Sequence, residues 1–121
     1  MTSKINSYKD LIVWQQAMDL AVATYSLTKA WPKEELYGLT SQIRRSATSI
    51  PANIAEGCGR GSDIDFARFL QIAMGSSCET EYYFILTHDL GYLNAEKYEQ
   101  LLFGAEEVKR MLSALMQTVR S

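Results

Sequence analysis

Residues 42–57, QIRRSATSIPANIAEG, have the apolar spacing of a helix but carry a proline in its interior. Pro51 has no N–H to donate to the carbonyl of Ala47, and its ring crowds that carbonyl. The sequence therefore predicts a helix that is kinked at Pro51 or repaired by hydroxyl groups of the preceding turn. Because such a helix accepts an energetic cost, we expect strong packing to hold it.

Three more helices are predicted around this one. Trp31-Pro32 ends the first helix, and the acidic pair Glu34-Glu35 suits the start of the second. Glycines 57, 59 and 61 are expected to end the second helix. The predicted helices run from Tyr8 or Asp10 to Lys29, from Glu34 to Gly57, from the N-cap Ser62 to Leu90, and from the N-cap Asn94 onward. Short linkers favour an all-α, antiparallel up-down-up-down four-helix bundle that forms one domain over residues 1–121.

The apolar residues of these helices suggest more than one buried face. The first helix is expected to bury one stripe, formed by Leu11, Trp14, Met18, Ala21, Val22 and Tyr25. Among the aromatic residues, Trp14, Tyr25, Phe66, Phe69 and Phe84 are assigned to the core.

The third helix is apolar on more than one side. Phe66, Leu70, Ala73 and Phe84 share its core face, whereas Ile64, Ile72, Met74, Tyr82 and Ile85 lie elsewhere on it. A lone bundle would expose this second set, so we expect a homo-oligomer built by the third helix and the outer face of the fourth. At least one of Tyr82 and Tyr83 is then expected at a subunit interface.

The composition of the chain bears on three properties: nucleic-acid binding, the state of the cysteines and the cellular location. The formal net charge of -2 argues against a wholesale electrostatic binder of nucleic acid, although a local basic patch is compatible with it. The two cysteines, Cys58 and Cys78, match no metal or redox spacing and are interpreted as free thiols. Without a signal-peptide core or an apolar run of membrane-spanning length, we expect a soluble, cytoplasmic protein with no membrane role.

One group of like charge invites a functional interpretation. It consists of Arg44, Arg45, Arg60 and Arg68, which would form a small basic surface if this end of the bundle folds together. Guanidinium groups suit phosphate oxygens, so the cluster is a candidate contact for nucleic acid or another partner. The alternative, which we favour, is pairing with the carboxylates of Glu56, Asp63, Asp65 and Glu79.

Candidate catalytic and metal-binding groups are few. The polar set Asn53, Glu56, Glu79 and Glu81 could be read as metal ligands, but a carboxylate-bridged site in a bundle needs Glu-x-x-His pairs. The single histidine, His88, has Ile85 three residues before it. We therefore expect no metal or cofactor, and assign structural polar roles to Asn53, Glu56 and Glu79. Asn53 and Glu56 are expected to tie the second helix to its neighbour by buried hydrogen bonds. No nucleophile-elbow, phosphate-loop or kinase motif is present, which favours a non-enzymatic protein with no small-molecule substrate.

Five segments resemble a known family in the same order along the chain. They are residues 11–17 (LIVWQQA), 31–39 (WPKEELYGL), 42–57, 68–76 (RFLQIAMGS) and 79–81 (ETE). They resemble the four-helix-bundle proteins encoded in intervening sequences of bacterial 23S rRNA genes, also called ribosomal-protein-like. The resemblance implies a ring-shaped homo-oligomer, typically a pentamer. It also implies relatives that assist diversity-generating reverse transcriptases and bind nucleic acid.

Together these observations predict a non-enzymatic, oligomeric assembly or interaction module. The alternative function is an accessory protein that binds RNA or DNA through the arginine cluster.

Overall fold

Four long helices form the bundle in the computed structural model, which describes residues 7–121. They are α1 (Ile12–Thr28), α2 (Leu39–Cys58), α3 (Asp63–Asp89) and α4 (Ala95–Arg120). Each helix packs against the next one in the chain, and α4 closes the bundle against α1. The predicted all-α four-helix bundle is confirmed. Within residues 7–121, no helix combines the length and hydropathy needed to span a bilayer.

Two of the helices begin later than the sequence predicts. A 3-10 turn at Tyr8–Asp10 precedes α1, and another at Lys33–Glu35 precedes α2. Glu34 and Glu35 therefore do not open α2. The Glu35 carboxylate instead accepts hydrogen bonds from the Leu39 amide (3.5 Å) and the Tyr92 hydroxyl (3.0 Å). The hydrogen bond to this carboxylate also raises the pKa of Tyr92.

The predicted N-caps of α3 and α4 are confirmed. The Ser62 hydroxyl accepts from the Asp65 amide at 3.2 Å, and the Asn94 side chain accepts from the Lys97 amide at 2.8 Å. Such caps satisfy amide groups that the first turn of a helix leaves without a carbonyl partner. The preceding loops turn at Gly61 and Gly91, whose φ angles of 88° and 83° favour glycine.

Helix α2 continues through Pro51 from Leu39 to Cys58. In the turns before the proline, three hydroxyl groups bond to backbone carbonyls of the same helix. Ser46 donates to Ile43, Thr48 to Arg44 and Ser49 to Ser46, at 3.1, 2.8 and 2.8 Å. The hydroxyl groups thus bond within the turns that precede the proline, as the sequence suggested, but to carbonyls other than that of Ala47.

Gly57 lies inside α2 and does not end it, contrary to the sequence-based prediction. Its backbone packs so closely against α3 that an added Cβ would lie 2.5 Å from the Cβ of Phe69 and 3.2 Å from the Phe66 ring. Glycine is needed here because two helices approach each other. The helix ends one residue later, at Cys58.

The core of α3 is the one predicted from its sequence. Phe66, Phe69, Leu70, Ala73 and Phe84 are all buried. Polar groups within this core are paired, as in the 3.0 Å hydrogen bond from the Thr80 hydroxyl to that of Ser46 on α2. The contact between α2 and α3 therefore combines apolar packing with a hydrogen bond.

The predicted core face of α1 is wrong at three of its six positions, whereas Leu11 and Trp14 are partly buried against the core. Val13, Ala17 and Leu20 face the core instead, and Ala21 is the only buried member of the predicted stripe. Trp14 is half-buried against Tyr8, and Met18, Val22 and Tyr25 are exposed. Helix α1 carries two apolar stripes. The inward one has the smaller side chains, which suit the close approach of α4, where Leu20 lies near Gly104.

The glycines of α2 and α3 give a matched test of this packing. We expect Gly57→Ala to lower the free energy of unfolding by about 1–3 kcal/mol, because the new methyl group collides with Phe69. Gly75→Ala on α3 has open space around the new Cβ, so it is expected to add about 0.5–1 kcal/mol of stability. Urea unfolding measures both at one fixed protein concentration. Equal effects of the two variants would contradict the close approach at Gly57.

Candidate functional site: an apolar groove and its neighbouring cations

An open groove of about 550 Å³ lies on the outer side of α1 and α2, and we call it the α1/α2 groove. Its α1 wall is mostly large and apolar but includes Ser26 and Lys29, whereas its α2 wall consists of small residues. The α1 wall contains Trp14, Met18, Val22 and Tyr25, and the α2 wall contains Thr48, Pro51, Ala52 and Ala55. The exposed residues of the α1 stripe that the sequence analysis assigned to the core line this groove.

The α2 wall offers little polar surface to an occupant. The hydroxyl of Thr48 already donates to the Arg44 carbonyl at 2.8 Å, and Pro51 has no N–H. Ala52 and Ala55 leave room above the helix. A wall of large apolar side chains beside a wall of small ones fits an apolar surface better than a polar ligand.

A second uncovered apolar surface lies on the other side of the bundle, on α3 and α4. The expected second face of α3 is exposed at Ile64, Ile72, Tyr82 and Ile85, and Phe103 projects from α4. Met74, which was assigned to the same set, packs against the core instead. Tyr83 also packs against the core. The molecule therefore has exposed apolar residues on two opposite sides.

The four arginines do not form the single basic surface that the sequence suggested. Arg60 and Arg68 each lie against the Phe69 ring, at 4.9 and 4.7 Å from its centre. Arg44 and Arg45 lie toward the start of α2, and at ~1.5 Å per residue this helix separates them from Arg60 by roughly 20 Å. Arg44 contacts α1 whereas Arg45 contacts α3, so the expected cluster is divided among separate places.

Three of these arginines form ion pairs with carboxylates of the same chain. The pairs are Arg45–Glu79, Arg60–Glu56 at 3.3 Å and Arg68–Asp65 at 3.6 Å. These contacts agree with the pairing alternative. Since all six side chains are about one-third or more exposed, each pair contributes little stability in water.

Arg44 differs from the other three. It is half-buried, its Nε donates to the Thr28 hydroxyl at 2.8 Å, and its guanidinium lies 4.6 Å from the centre of the Tyr25 ring. Thr28 in turn donates to the Thr24 carbonyl at 2.9 Å. Within residues 7–121, no carboxylate pairs with Arg44. Its charge is held at one end of the groove without a counter-ion.

The residues assigned to structural polar contacts behave in two ways. Glu79 bridges α3 to α2 through Arg45, as expected of an interhelical contact. Asn53 instead donates to the Ser49 carbonyl of its own helix at 2.7 Å, and Glu56 pairs with Arg60 just beyond the end of that helix. These contacts of Asn53 and Glu56 are local to α2, so the expectation that they tie α2 to a neighbouring helix is wrong.

The other titratable groups are dispersed. Glu81 accepts from the Lys109 ammonium at 3.0 Å and raises the pKa of that lysine, and burial raises the pKa of the Cys58 thiol. His88 stacks on Tyr98. Among residues 7–121, no three or more His, Cys, Asp or Glu side chains come together as a metal would require. Both cysteines are free thiols, as predicted.

A second, smaller cavity was missed by the sequence analysis. It measures about 260 Å³, lies where the α1–α2 connection crosses the start of α2, and is called the basic cavity. Its lining residues are Thr28, Lys29, Trp31, Pro32, Lys33, Leu36, Thr40 and Arg44. No sequence motif predicts this cavity, because its residues come together only through the path of the connection between α1 and α2.

Comparisons with known proteins identify relatives. A family model described as 23S rRNA-intervening sequence protein matches residues 9–114. A crystal structure of a protein of unknown function from the S23 ribosomal protein family of Bacteroides thetaiotaomicron is similar over 88% of this chain and 96% of its own. The two share 32% sequence identity with a TM-score of 0.81. None of the curated proteins compared matches this chain.

The different environments of the arginines lead to a stability prediction. Arg44→Ala removes a hydrogen bond and a cation–π contact from a half-buried site, so it is expected to cost about 1–2 kcal/mol of unfolding free energy. Arg60→Ala removes an exposed ion pair and an exposed contact with the Phe69 ring, so it is expected to cost less than about 1 kcal/mol. Urea denaturation at fixed protein concentration measures both. A larger loss at Arg60 would contradict this assignment.

Proposed function

The chain belongs to the 23S rRNA-intervening sequence protein family, and we propose that it is a non-enzymatic module that assembles with copies of itself in the cytoplasm. The most specific form of this proposal is a closed ring of five copies. The number five rests on the resemblance described above, and the need for a partner rests on the apolar surfaces of this chain.

The observation that carries the proposal is the uncovered α1/α2 groove. Val22 is 59% exposed and Tyr25 is 43% exposed in a single copy. Fully burying a large apolar side chain contributes about 1.5–3 kcal/mol, so covering a half-exposed one contributes roughly 1 kcal/mol. Several such side chains lie together in the groove, and apolar groupings of this kind mark interaction surfaces.

A ring also needs a second surface, because each copy must contact two neighbours in the same way. Such head-to-tail contacts join two different surfaces, and they close when the rotation between copies is right. The apolar residues of α3 and α4 supply that second surface, with Phe103 64% exposed. They lie across the bundle from the groove, since α1 and α2 pack together on one side and α3 with α4 on the other.

Light scattering after gel filtration tests the assembly. At micromolar concentration we expect a mass about five times that of the 13.7 kDa chain. Val22→Glu places a charge in the groove that would have to be desolvated on assembly, so it is expected to give smaller species.

Tyr37→Glu is the matched control, because Tyr37 is exposed in the connection between α1 and α2 and does not line the groove. We expect it to keep the mass of the unchanged protein. A wild-type monomer at micromolar concentration would overturn the assembly proposal. If Val22→Glu leaves the oligomer unchanged, the groove is not one of the surfaces through which the copies assemble.

The alternative function is binding of RNA or DNA through Arg44, Arg45, Arg60 and Arg68. It predicts an affinity that falls steeply with salt and a smaller salt dependence when these arginines are changed to alanine. Filter binding at several salt concentrations measures this, with Lys97→Ala on α4 as a control for loss of one charge. No binding at low salt would exclude this function.

A further inference from the structure

Three cationic residues line the basic cavity. Lys29 follows the end of α1, Lys33 lies in the connection, and Arg44 projects from α2. No Asp or Glu lines the cavity, and no ion pair is formed by these three cations within residues 7–121. The nearby Glu35 carboxylate is already bonded to Leu39 and Tyr92.

Two buried polar atoms on residues that line this cavity have no hydrogen-bond partner in the part of the chain described. They are the Nε1 of Trp31, a residue 8% exposed, and the Oγ1 of Thr40, a residue 2% exposed. An indole N–H only donates, and a threonine hydroxyl can donate. Leaving such a group unpaired is energetically costly. Both atoms are closed off from the surface, so an acceptor in the cavity reaches them only after neighbouring side chains move.

Arg44 is already positioned for such an acceptor. The hydrogen bond from Nε to Thr28 and the contact with Tyr25 hold the guanidinium group in place. Neither contact uses the two terminal nitrogens, each of which carries two N–H donors. A donor fork held in this way loses little freedom when it binds an oxyanion.

We propose that the basic cavity is a binding site for a phosphate group. Three cationic residues with no carboxylate among them match a dianion with several acceptor oxygens better than a monocarboxylate. The volume of about 260 Å³ exceeds that of a single water several-fold, so a phosphate and some of its hydration fit. The cavity lies beside the α1/α2 groove and shares Lys29 with it.

Fluorescence of Trp31 tests the proposal directly. The chain has two tryptophans, so Trp14→Phe leaves Trp31 as the only one. Titration with inorganic phosphate is expected to give a saturable change that potassium chloride of equal ionic strength does not give. Calorimetry on the unchanged protein gives the dissociation constant.

Variants then assign the binding to the cavity. We expect Arg44→Met to weaken phosphate binding by about tenfold or more. Lys33→Met, at an exposed position that folding does not need, is expected to weaken it several-fold. Lys97→Met removes a charge on α4 away from the cavity and is expected to leave the dissociation constant unchanged.

The outcomes separate the sources of the phosphate group and the ways in which the proposal fails. Displacement of phosphate by a short single-stranded oligoribonucleotide would support a phosphodiester ligand, and no displacement would support a small phosphate-bearing molecule. No saturable signal, or an affinity unchanged by both Arg44→Met and Lys33→Met, would overturn the site. If Lys97→Met weakens phosphate binding equally, the binding is general electrostatic attraction and not recognition by the cavity.

Discussion

The close contact between α2 and α3 is the constraint on which the rest of the molecule depends. Gly57 lets the backbone of α2 touch Phe69, and the hydrogen bond between Thr80 and Ser46 joins the same helices further along. These two contacts fix the rotation of α2 about its axis. Once that rotation is fixed, Pro51 and Ala52 line the α1/α2 groove, and Arg44 lies beside α1.

Helix α1 completes the groove because it is apolar on two sides. A helix with two such stripes has two ways to meet a core, and close packing decides between them. The stripe with Ala17 allows α4 to come near, whereas the stripe with Trp14 and Tyr25 is too bulky for that position. The bulky stripe is left outside, where it supplies the apolar wall of the groove.

Much of the fold followed from local patterns, and most of the candidate site did not. The Ser62 and Asn94 caps and the phenylalanine core of α3 depend on residues within a few turns of one another, so their spacing was sufficient. The face chosen by α1 and the separation of the arginines depend on tertiary contacts. The basic cavity depends on the path of a connection, and nothing in the spacing of Trp31 and Thr40 indicates that they line one space.

The Glu35 carboxylate has a consequence for how this end of the bundle opens. Glu35 lies in the connection that precedes α2. Its carboxylate accepts one hydrogen bond from Leu39 at the start of α2 and another from Tyr92 in the turn that precedes α4. Two segments far apart in sequence are thereby coupled, so fraying of one removes a partner from the other. Local unfolding here is expected to be a single cooperative event in hydrogen exchange, with amides of both connections sharing one protection level.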